Sequence, residues 1–526
     1  MIGNRQIIPL NFLQKKLGLN TKFKFELYTA NQMNRLILLS SLHILLCFIS
    51  CDIKKVAGTS INRNPIIEEN KKRGTRDWII SVNKKTCPAP DHRFCRREAI
   101  EAYVSHASIE AGDTLEVFVS TKPASDYTID FYRMGYYNGD GGRLVHSAGS
   151  LKGTPQAMPP IAKSNLLECK WQKGYELTIP QDWVSGVYLG KLTALRDSSQ
   201  SYVIFIVKDK RKADFLFQSS DLTWQSYNRW PYWNSMYDEG AKPWINTYGA
   251  AIGFDRPYGL YVNELPSSFN PLSNGSGEFL LWEFPLAFWM EKQGYNVSYI
   301  SNIDTDNNYE GLLRAKGFLS VGHDEYWTKQ MVTNVSKARD EGVNILFLSG
   351  NSLHKEIYLK PSSDGRNDRI LGRIADFENE QDLMGGASHG VGYSDFICKA
   401  PKHWIFEGTG MKAGDKIPHL IGWEFQGFPL KKDSTLVVLA QGLLRENKFK
   451  SPEDITYAST IYTAPKGNFV FNAATCWWNM FLSYPPGSQN PNSDAIGYEI
   501  DFKNGDKRVE KMTENIFKKV IESNPR

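Results

Sequence analysis

The chain has 526 residues, 41% hydrophobic and 13% aromatic, enough for two or three domains with full cores, which excludes a disordered or fibrous protein. Its formal charge of +5 comes from the N-terminus: residues 1–50 hold six of the 62 Lys and Arg but only Glu26 among the 57 acids, and the rest is balanced. Balanced charge excludes the basic footprint of a nucleic-acid binder, and the short run Lys208 to Lys212 reads as a solvated interdomain linker.

The first predicted element is a targeting segment over 1–51, with Met33 as an alternative start. Arg35 precedes an apolar stretch, Leu36 to Ile49, broken only by Ser40, Ser41 and His43. It is too short for a comfortable membrane span. It ends in Phe48-Ile49-Ser50-Cys51, and a small residue before Cys at that place resembles the lipobox of bacterial lipoproteins, although Phe48 stands where Leu is usual. Acylation of Cys51 would anchor the protein in a bacterial cell envelope, with 52–74, rich in Asn, Lys, Glu and Arg, as a flexible tether. An ordinary secretory signal or an uncleaved anchor is the alternative. Cys87 and Cys95, near Pro88 and Pro90, have a spacing that could close a small disulfide loop in an oxidising compartment. No Cys/His spacing suggests structural zinc, and Cys398 and Cys476 lack the glycine-flanked setting of a nucleophile elbow.

Residues 75–210 are predicted to form an all-β sandwich. Thr114 to Val119 and Tyr127 to Phe131 alternate apolar and polar side chains, and further strands are expected at Val187 to Leu195 and Tyr202 to Val207. Short strands without helices between them argue for packed sheets. The glycine-rich run Arg133 to Gly142 is followed by no helix, so it reads as a hairpin packed by aromatics rather than a phosphate cradle.

Residues 211–526 alternate strands and helices, predicting a doubly wound α/β domain. Strands are expected at Phe215 to Phe217, Asn296 to Ile300, Phe318 to Val321 and Asn344 to Leu348, with a helix at Phe284 to Gln293 opened by Pro285 and stopped by Gly294. From about 385 the pattern turns to Gly-rich loops and short strands, ending in Asn468 to Asn472 and a helix over about 508–522. Between the strand ending at Val321 and a helix capped by Thr328 lies Gly322-His323-Asp324-Glu325-Tyr326-Trp327. Two functional side chains two apart on a turn can converge on one ion or substrate, and α/β folds place their chemistry at such strand ends. Asp304, His323, Glu325 and Asn351 are thus expected at one rim, with His389 as a further pocket residue.

These pieces, with Gly253 to Tyr258, Gly294 to Tyr299, Ser349-Gly350-Asn351 and Phe469 to Asn472, together resemble the large-subunit family of N,N-dimethylformamidase. The Tyr132 to Tyr137 hairpin resembles the domain preceding it in that family. The resemblance implies a glutamine-amidotransferase-like α/β domain with β-rich additions, and a mononuclear iron held by two tyrosines and one glutamate beside a histidine. Glu325 matches the glutamate and His323 the histidine, with Tyr258 and Tyr227 expected as the phenols. Phenolate and carboxylate oxygens suit a ferric ion, which could activate water against a small-molecule amide while His323 moves the proton. The family's amidase works with a small subunit that this chain lacks, so its substrate is not carried over. A non-catalytic surface lipoprotein, binding glycan or protein through the sandwich, is the competing expectation.

Overall fold

The structure, a computed structural model, describes residues 64–81, 96–232, 234–238, 250–259, 274–427, 434–444, 456–488 and 500–523. The expectations for the targeting segment, for Cys51 and for Cys87 with Cys95 lie outside these residues, as does the side chain of His389. Part of the expected tether is folded: Pro65–Asn70 forms a helix whose cap, Asn64, accepts from Ile66 N and donates to Gly294 O at 2.8 Å.

The alternating segments form two sheets with one core between them. A five-stranded sheet has the order Ser108–Glu110, Gln200–Lys208, Gly186–Ala194, Ser125–Met134, Gly142–Gly153; a three-stranded sheet has Glu101–Val104, Thr114–Ser120, Lys173–Thr178. Leu115, Val117 and Val119 from one sheet pack with Ile129, Phe131 and Phe205 from the other, the inward half of the period-two pattern.

The next layer is a seven-stranded sheet in the order Val297–Ser301, Ala213–Ser219, Ala315–His323, Asn344–Gly350, Phe469–Asn472, Thr456–Thr463, Val437–Leu443. The first five strands are parallel and the last two pairings antiparallel. Both faces are covered, as apolar runs without alternation require. Leu319, Val321, Leu346 and Leu348 face a core that includes helices Phe284–Lys292 and Lys507–Glu522, whereas Phe318, Ile345 and Phe347 face helix Lys329–Asp340. That last helix begins where expected: Thr328 accepts from Met331 N, and Met331, Val335 and Ala338 are buried. Burying Met331 and Val335 contributes roughly 1.5–3 kcal/mol each.

A fully buried ion pair ties the sandwich to this layer. Arg133, on strand Ser125–Met134, donates through Nη1 and Nη2 to the two carboxylate oxygens of Glu291, at 2.9 and 2.8 Å, on helix Phe284–Lys292. Gly135 beside it leaves room, because a Cβ there would lie 2.3 Å from Glu291 Oε2. The expected hairpin is therefore the sandwich's clamp on the α/β layer.

Candidate metal centre

Strand Ala315–His323 ends opposite Gly350, at the C-terminal edge of the parallel sheet. Gly322 makes the turn with φ of +74°, and a Cβ there would meet Trp282 Cβ at 2.6 Å, so glycine is required on both counts. Asp324 then points back into the fold, where its carboxylate accepts from Gln218 Nε2 at 2.7 Å, Ser320 Oγ at 2.8 Å and Asn302 Nδ2 at 3.0 Å. Burial raises its pKa to about 6 against the pull of these donors. With Asp324 turned inward, and Thr223 Oγ1 accepting from Glu325 N at 3.0 Å, His323 and Glu325 come together.

Six further groups close round them. His323 Nδ1 lies 3.3 Å from Glu278 Oε2, and Nε2 lies 2.6 Å from Glu424 Oε2 and 3.4 Å from Glu325 Oε2. Tyr227 Oη donates to Glu325 Oε2 at 2.5 Å and Tyr237 Oη to Oε1 at 3.2 Å, the phenols being 3.1 Å apart; Tyr326 Oη donates to Tyr237 Oη. Arg373 sits over the Tyr237 ring, 5.9 Å from its centre. His323, Glu278, Glu325 and Glu424 are all buried.

Three carboxylates thus contact one imidazole out of reach of bulk water. Burial would lower the His323 pKa, but the Glu424 charge, the hydrogen bond with Glu278 and the nearby Glu325 carboxylate hold it well above its ordinary value. Glu325 is lowered despite burial, through His323, His354 and Tyr227; Glu424 is raised, burial outweighing the attraction of His323. Tyr227 and Tyr237 are pushed well above 10 by burial and then by Glu325. His323 Nε2 and Glu424 Oε2, although close, make no well-directed hydrogen bond. One ligand atom from each of His323, Glu325 and Glu424 lies within 4.8 Å of the others, so this group can hold a metal ion.

The structure thus brings His323, Glu325 and Tyr227 together. Asn351, with φ of +51°, hydrogen-bonds Glu424 and receives Gly390 N at 3.4 Å, which places it beside the cluster. Tyr258 lies elsewhere, hydrogen-bonded with Gln225 and lining a cavity against the sandwich. Its loop is fixed there by Arg256, whose guanidinium donates to the carbonyls of Trp230, Asn234 and Asn228. Asp304 caps helix Asn302–Asn307 through Ser301 and pairs with Lys208. Glu278, Glu424 and Tyr237 were not singled out from the sequence, where the only local signals are Gly277 before Glu278 and Gly422-Trp423 before Glu424. Cys476 lies near this centre, and burial pushes its thiol up to about 12.

A helix-covered, mostly parallel sheet at whose edge carboxylates, phenols and an imidazole gather defines an α/β protein with a buried His/Glu/Glu group that can hold a metal ion. Residues 128–493 match the family described as N,N-dimethylformamidase beta subunit-like, C-terminal, and the chain belongs to that family. No curated protein matches the chain. A solved structure of an uncharacterized protein from Bacillus anthracis str. Ames is 14% identical, covers 24% of this chain and 97% of that one, and has a TM-score of 0.14, too slight a likeness to bear on fold or function.

Proposed function

We propose that the protein is an exported, iron-dependent hydrolase of carbon–nitrogen amide bonds, built on a glutamine-amidotransferase-like α/β domain. The observation that carries this reading is the meeting of Glu278, Glu325 and Glu424 at one buried imidazole, an excess of negative charge that an added cation would offset. The residues fit such an ion. Glu325 with the Tyr227 and Tyr237 oxygens forms a hard anionic donor set once the phenols lose their protons, which suits ferric iron. Tyr237 thereby takes the place that the family resemblance gave to Tyr258. A bound ion would polarise an amide carbonyl and acidify a bound water.

The protein's own groups then manage protons. Glu424, its pKa raised, accepts a proton from the attacking water, and Asn351 fixes its carboxylate. His323, oriented by Glu278 through Nδ1 and charged in this setting, donates a proton to the departing nitrogen. Export rests on the apolar stretch ending at Ser50-Cys51, with a lipid on Cys51 as the membrane anchor.

Metal analysis and visible absorption of purified Glu325→Gln test the centre. The expected result is loss of nearly all bound iron with the fold kept, and a shifted phenolate-to-iron band in Tyr227→Phe and Tyr237→Phe but not in Tyr258→Phe. Iron retained at the wild-type level in folded Glu325→Gln would remove the proposed ligand set.

A further inference from the structure

Tyr326 stands one residue beyond Glu325 and is fully buried. The short strand Tyr326–Trp327 sets it in register with Lys355, and Thr223 Oγ1 accepts from both Glu325 N at 3.0 Å and Tyr326 N at 3.3 Å. Thr223 belongs to helix Asp221–Tyr227, so the backbone under Tyr326 is tied to the element that carries Tyr227. The side chain is held as firmly. Tyr227 and Tyr237 stack with ring centres 5.0 Å apart, and the Tyr326 ring stands edge-on to both, at 6.0 Å and 84° from Tyr227 and 6.5 Å and 82° from Tyr237. Edge-to-face packing of this kind is a favoured arrangement of aromatic rings.

Its hydroxyl meets that of Tyr237, and the direction of the hydrogen bond follows from where the protons go. Tyr227 gives its proton to Glu325 Oε2, and Tyr237 gives its own to Oε1. A phenol carries a single hydroxyl hydrogen, so the one between Tyr326 and Tyr237 comes from Tyr326. Packing alone would need only the ring, which phenylalanine also has. Iron in the proposed ligand set takes the place of the Tyr227 and Tyr237 protons, whereas the Tyr326 hydrogen and its acceptor are untouched.

We propose that Tyr326 is a positioning residue of the metal centre, whose hydroxyl donates to the Tyr237 oxygen, fixes that oxygen beside Glu325 and draws electron density from it. This role rests on the iron-binding reading, and it adds a residue that does not itself bind the ion. Partners that hydrogen-bond a ligand orient it and tune the metal. The role is specific to one phenol: Tyr237 takes the hydrogen bond from Tyr326, while Tyr227 lies against the imidazole of His323, with ring centres 5.1 Å apart.

Tyr326→Phe keeps the ring and removes only the hydroxyl. In the full chain loaded with iron, this variant is expected to bind the ion about 10–100-fold more weakly, read by chelator competition. Its phenolate-to-iron band is expected at longer wavelength, because an oxygen relieved of a hydrogen bond gives up charge more easily. In the Tyr237→Phe background the same change is expected to leave the band where it is, which a general loosening of the fold would not do. Resonance Raman on the wild type carries the test should Tyr326→Phe fail to fold: the phenolate–iron stretch is expected to differ between protein produced in light and in heavy water. An unmoved band in iron-loaded Tyr326→Phe, a shift of equal size in the Tyr237→Phe background, or an identical stretch in the two waters would each overturn this role and leave the iron-binding reading standing. A wild type with neither iron nor the band would overturn both.

Discussion

Gly350 shows how closely the metal centre depends on a single missing atom. A Cβ there would lie 2.3 Å from Glu424 O and 2.6 Å from Cys476 N, so this glycine lets the segment carrying Glu424 approach the sheet edge opposite His323. Gly350→Ala is expected to destabilise the fold by about 1–3 kcal/mol and to displace Glu424, lowering amide turnover at least about tenfold, since a displacement on the order of 1 Å costs more than that at a reacting centre. Denaturant titration and steady-state kinetics on the same sample separate the two effects. Asp221 makes a second residue-level prediction. Its carboxyl is raised by burial from 3.8 to about 8, so the folded chain keeps a proton that the unfolded chain has lost. Its contribution to stability is fully present below 3.8 and is lost as pH rises through about 8. Asp221→Asn does not titrate. The melting temperature of this variant relative to wild type should therefore climb between mildly acidic and alkaline pH; a constant difference across that range would show that Asp221 is not raised.

At the level of elements, the Arg133–Glu291 pair joins strand Ser125–Met134 to helix Phe284–Lys292, and both side chains are fully buried. Removing one partner leaves an uncompensated buried charge, so Glu291→Met or Arg133→Met alone should cost about 3–5 kcal/mol, while the double variant should recover much of that loss. A double-mutant cycle by urea denaturation measures the coupling; additive losses would mean the pair acts only as packing. The helices and strands on either side of this clamp were legible in the sequence because each carries its own pattern: Thr328 before Met331, Val335 and Ala338, or the unbroken apolar run from Asn344 to Leu348. The helix Asp221–Tyr227 was not, since it has seven residues and is buried along almost its whole length, which erases the polar face that periodicity needs. Glu424 was equally hidden. It lies on the three-residue strand Glu424–Gln426, and its meeting with His323 joins positions about one hundred residues apart, a distance over which local pattern carries no information.

For the molecule as a whole, the clamp and the continuous apolar core shared by the sandwich strands Gly186–Ala194 and Gln200–Lys208 and the parallel sheet predict one unfolding event. Scanning calorimetry should give a single cooperative transition; two resolved transitions would show that the layers unfold independently. No helix among the described residues is long and apolar enough to cross a membrane, and attachment by Cys51 is checked by labelled fatty acid, expected to enter the wild type and not Cys51→Ala. Equal labelling of both would remove the lipid anchor.

His323 ends one strand, Glu325 sits on the turn two residues further on and Glu424 opens another strand, and none is more than 5% exposed, so the ion proposed at Glu325, Tyr227 and Tyr237 would exchange only when the surrounding elements open. Divalent affinity alone favours copper over iron at most protein sites, yet under the proposed function a site this closed would be loaded as the chain folds. Its metal would then be inherited from the birthplace of the fold, and the history of the chain, rather than an equilibrium among competing ions, would decide which element it carries.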